Sequence, residues 1–134
     1  MEKYAEQVHR DSGLRGLYLP IIKEVSVAAS SENVTVLDTD TDIPSDLKFD
    51  GMVLRIRALG YDFETGIQNI KLTVYGEKVV TLNLGTYQIG TYASPKEFDL
   101  PLLGPCGRII IKCDNTDTVA RKISIRLDLQ ISED

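Results

Sequence analysis

Residues Val119–Ile131 read VARKISIRLDLQI, and the alternation within them decides the fold class. Ile123, Ile125, Leu127, Leu129 and Ile131 fall on one side of an extended chain, and Lys122, Ser124, Arg126, Asp128 and Gln130 on the other. A helix would scatter the same apolar residues round its circumference. Period-2 alternation over this length predicts a long strand with one buried and one polar face, closing a β-core.

The same alternation recurs upstream. Met52, Leu54, Ile56 and Ala58 alternate with Val53, Arg55, Arg57 and Leu59, and a loop is expected over 60–66. Ile70, Leu72 and Val74 then alternate with Lys71, Thr73 and Tyr75. Gly76-Glu77 is expected to turn that strand back along Val80, Leu82 and Leu84, because Gly at the first position suits a type II′ hairpin. Shorter strands are expected over 22–29, 33–37, 96–100 and 107–113, with Gly, Pro and Asx-rich turns between them. About eight strands with this punctuation predict an all-β antiparallel sandwich. Irregular stretches at 38–51 and 85–107, beside tight hairpins, suit a jelly roll. An immunoglobulin-like sandwich is the alternative, against which stands the absence of any Trp.

At 134 residues the chain is read as one sandwich domain over 21–134, preceded by an arm over 1–20. The arm can make about three helical turns before Gly13 and Gly16 interrupt it. The net charge of −5 argues against binding nucleic acid by phosphate neutralisation. No apolar run approaches the ~20 residues that span a bilayer, and the charged start MEKYAEQVHRDSG is unlike a signal peptide. The expectation is therefore synthesis in a cytoplasm, with neither nucleic acid nor membrane as partner. The sequon Asn33-Val34-Thr35 is read as incidental on the same grounds.

The pieces for catalysis are missing. The one histidine, His9, lies in the polar arm, and no spacing among the 20 acidic residues singles out an acid and a base. No enzyme activity and no cofactor are expected. The stretch DTDTDIPSDLKFDG, 38–51, opens like a calcium loop, but its sixth position is Ile43 instead of Gly and its twelfth Phe49 instead of Glu. Cys106 and Cys113 sit in what reads as one strand with its lead-in. Their separation of roughly 23 Å in an extended chain exceeds the ~7 Å limit for a disulfide. Two unpaired thiols are expected, with Cys113 in the core, and no metal site.

Apolar residues on nominally outward faces point elsewhere. Ile110 faces away from Ile109 and Ile111, and Val53, Leu59, Tyr75 and Val79 oppose the core sets of their strands. With Leu14, Leu17 and Leu19 of the arm, they predict a partner-binding surface, carried by Leu14, Leu17, Leu19 and Ile110. A small β-sandwich with such an arm and no catalytic set resembles the jelly-roll structural proteins of viruses and bacteriophages, of the capsid-decoration or head and tail accessory type. The resemblance is one of architecture. It implies a non-enzymatic protein located in the virion, binding a capsid lattice, another virion protein or its own copies, a trimer among the arrangements. The rival reading is a carbohydrate- or ligand-binding module that stacks sugars on Tyr87 and Tyr92, with Tyr61 nearby.

Overall fold

The computed structural model describes residues 17–48, 51–97 and 106–133. Its strands are β1 (Leu17–Val27), β2 (Ser31–Asp38), β3 (Met52–Phe63), β4 (Ile67–Gly76), β5 (Val79–Gly85), β6 (Lys96–Glu97), β7 (Cys106–Asn115) and β8 (Arg121–Glu133). One helical turn, α1 (Thr39–Asp42), and a 3-10 turn (Ser45–Leu47) lie between β2 and β3.

Pairing runs from the outside of the chain inward. The first strand pairs with the last, β2 with β7, β3 with β6 and β4 with β5, all antiparallel. β8 also pairs with β3, and β7 with β4. Two four-stranded halves result, β1-β8-β3-β6 and β2-β7-β4-β5, joined by the single ladder pair Leu54↔Cys106. This is the winding of a jelly roll: a long hairpin folded over so that consecutive strands cross between sheets.

β8 is central to its half because its apolar row has a neighbour on each side. Leu127 stands opposite Ile21 of β1 and Leu59 of β3. Ile123, Ile125, Leu127 and Leu129 are fully buried, as their alternation predicts. The facing half contributes Leu72, Val74, Ile109, Ile111 and Cys113 to the same core. Both cysteines are buried and unpaired, and burial pushes each thiol up to about 11.

Three local expectations change. In β3 the register passes from Ile56↔Leu129 to Ala58↔Asp128, so Arg57 is an extra residue in a bulge. The bulge shifts the phase, and Leu59 turns into the core instead of outward. The strand then continues through Gly60 to Phe63, where a loop is expected from sequence. Gly60 is required there, since a Cβ would overlap the Thr91 carbonyl oxygen of the strap over 86–95. In the β4–β5 hairpin the closing pair is Tyr75↔Val79, leaving Gly76, Glu77 and Lys78 between the paired residues, one more than the expected turn. Finally, β1 begins at Leu17 instead of residue 22, so residues 17–20 of the expected arm belong to the sheet. Residues 1–16, with the expected helix and Leu14, lie outside the described residues.

Candidate subunit-contact surface

The aspartate-rich stretch is assembled as an ion-paired clasp. Asp38 caps α1 by accepting the Asp40 N–H at 3.0 Å, and Arg108 grips its carboxylate at 3.0 and 2.6 Å. Arg108 also reaches Asp40 at 3.1 Å. Asp42 accepts from Lys23 Nζ at 3.0 Å and from the Asp38 N–H at 2.8 Å. The Arg108 guanidinium holds the Asp38 carboxyl below its ordinary range. The three carboxylates that open the calcium-like stretch, Asp38, Asp40 and Asp42, thus each have a cationic partner already. Among the described residues no three His, Cys, Asp or Glu side chains converge on a metal-sized site.

The tyrosine strap is divided. Tyr87 is 67% exposed, whereas Tyr92 is half-buried and its N–H donates to Asp62 at 3.3 Å. Tyr61 is in the core at 1% exposure, with its hydroxyl donating to the Tyr87 carbonyl. It therefore offers no face to a ligand, contrary to its expected place beside the platform.

The expected partner-binding residues turn out differently. Leu19 points inward and packs half-buried against the core, and Ile110 is 7% exposed. Cross-strand neighbours Thr73 and Asp38 flank Ile110 on its outward face, and the Asp38–Arg108 pair passes beside it. Leu17 opens β1, and its side chain lies outside the described residues. Leu19 and Ile110 therefore offer no exposed patch.

What the outward side of β1 does expose is its other phase. Tyr18 and Ile22 are 57% and 53% exposed, with exposed Pro20 between them. On β8, Gln130 stands opposite Tyr18, Asp128 opposite Pro20 and Arg126 opposite Ile22. Arg126 and Asp128 pair with each other at 3.1 Å across the intervening residue. A shallow cleft of about 200 Å³ runs between Tyr18, Pro20, Arg126 and Asp128. Gln130 is 8% exposed, and no described residue hydrogen-bonds its amide. Such a group is unusual, because buried amides are nearly always paired. Period alone could not reveal this surface. LYLPIIK is apolar at both phases, and only the register with β8 decides which phase faces out.

No protein-family model and no curated protein matches the chain. Among solved structures, a chain in the atomic structure of Sulfolobus turreted icosahedral virus is similar, with a TM-score of 0.55 at 13% identity. The similarity covers 90% of this chain and 31% of that one, so this chain spans about a third of its length. At that identity the likeness is one of fold: the same jelly-roll winding occurs in a chain of a virus particle.

Proposed function

We propose that this chain is a non-enzymatic structural protein of a virus particle, which builds or braces a shell by binding its own copies or another virion protein. The observation that carries the reading is the outward row Tyr18–Pro20–Ile22 on a jelly roll, beside the Gln130 amide, which has no partner among the described residues. Exposed apolar side chains gathered in a row beside polar groups mark contact surfaces. The similarity of fold to a chain of a virus particle favours a shell as the setting. Neither nucleic acid nor membrane is a partner in this reading; no helix among the described residues is long and apolar enough to cross a bilayer.

Light scattering and negative-stain microscopy of the full chain, over a range of concentration and salt, test it. Defined oligomers or ordered sheets are the expected result. A chain that stays monomeric, joins no particle, and is retained on a glycan array through Tyr87 would instead be a ligand-binding module.

A further inference from the structure

We infer that two copies of this chain meet face to face across the outward surface of β1 and β8, related by a two-fold axis that passes over Ile21 and Leu127. The inference rests on the structural reading above and names the partner of that surface as a second copy.

Arg126 and Asp128 carry opposite charges on either side of Leu127 and face outward. A two-fold axis lying between the copies, perpendicular to the strands, exchanges the two positions. Arg126 of one copy then meets Asp128 of the other, twice. Because Ile21 stands opposite Leu127, the same axis fixes what β1 meets. Ile22 falls against Pro20 of the second copy, apolar on apolar. Tyr18 falls against Glu24, a hydroxyl donor against a carboxylate. On β8 the Gln130 amide, which has no partner among the described residues, comes under the Ser124 hydroxyl. These four pairings are each chemically matched under a single operation. Facing sheets cross at about 30°, so the pairs nearest the axis are held closest, and these are the charged and apolar ones. The face is favoured over the edge of β1, because Pro20 removes an N–H from that edge and blocks strand addition.

Sedimentation velocity and native mass spectrometry of the full chain test the register. Wild-type protein is expected to dimerise. Arg126→Asp alone places like charges together at both contacts, as does Asp128→Arg. Each should weaken the dimer about a hundredfold or more. A one-to-one mixture of the two variants should recover a heterodimer, because one variant then carries acid at both positions and the other carries base at both. A role confined to the ion pair within one chain cannot produce that recovery. Should either single variant fail to fold, the exchanged pair Arg126→Asp with Asp128→Arg retains the internal ion pair. It should dimerise with itself but form no mixed dimer with wild type. A monomeric wild type, single variants that dimerise normally, or free mixing of the exchanged pair with wild type each overturns the two-fold contact. Larger wild-type assemblies indifferent to these changes overturn it while leaving the structural reading standing. A monomeric wild type that also joins no particle removes both.

Discussion

Asp114 accepts the backbone N–H of Asn33 at 2.8 Å across the boundary between β7 and β2. Its other oxygen accepts Asn69 Nδ2 from β4 at 2.7 Å. Both asparagines have left-handed backbone, with φ of 52° and 54°, at register shifts in the strands flanking β7. Asparagine tolerates that region better than other side-chained residues. One carboxylate on the middle strand therefore holds an irregularity on each side of it.

Those two hydrogen bonds, the Asn33 bond first, lower the Asp114 pKa, and Arg121 and Arg108 do the same for Asp117 and Asp38. Lowered carboxyl groups bind fewer protons folded than unfolded, so stability rises with pH between the folded and unfolded values. The stabilisation is present above about pH 4, the ordinary carboxyl value, and is lost as pH falls through the folded values. Melting temperature is expected to be level near neutrality and to fall below about pH 4. Asp114→Asn should lower stability at neutral pH and flatten the acid limb. An acid limb as steep as that of wild type would remove Asp114 from the account.

Leu127→Ala leaves a cavity at a fully buried point between Ile21 and Leu59. A loss of about 2–5 kcal/mol is expected, the range for large-to-small changes in a core. Urea denaturation measures it, and Lys122→Ala on the exposed phase is the control, with a change within about 0.5 kcal/mol. Equal losses at the two positions would mean that the faces are misassigned.

Cys113 has no exposed surface and Cys106 very little, and Cys106 donates its S–H to the Leu54 carbonyl. Their raised pKa values leave little thiolate at neutral pH. Labelling by a thiol reagent should therefore be slow in the native protein and rapid in denaturant. Melting temperature should be the same with and without reductant. A marked drop on reduction would reveal a bridge between chains.

Much of this was readable in the sequence, and the misses share a physical cause. β8 declares its faces because every second residue is polar, so one phase alone can be buried. β1 and β3 do not. Apolar residues occupy both phases of LYLPIIK, and the register with β8 chooses Leu19 and Ile21 for the core and Tyr18 and Ile22 for solvent. In MVLRIRALGYDF the bulge at Arg57 changes the phase midway, and no local signal separates that from a strand ending at Leu59. Ile110 looked exposed because it opposes the core residues of its own strand. Its cover comes from other strands, which the linear pattern does not contain.

Gly60 offers the sharpest check on the strap that crosses β3. The Tyr61 N–H donates to the Gly90 carbonyl at 3.0 Å, and Gln88 Nε2 reaches Asp62 at 2.8 Å, so the strap lies close along this part of the strand. A Cβ on Gly60 would overlap Thr91 and come within 2.9 Å of the Pro95 Cα, both backbone atoms that a rotamer change cannot move. Gly60→Ala should thus displace residues 86–95 as a unit and cost about 1–3 kcal/mol, the usual penalty for overpacking. Proteolysis should then cut within 86–95 before the rest of the sandwich opens. Gly107→Ala is the matched control. The nearest atom to its added Cβ would be the Tyr75 carbonyl oxygen at 4.0 Å, so strand stability should hold or rise slightly. If both substitutions behave alike, the strap does not rest on β3 at Gly60.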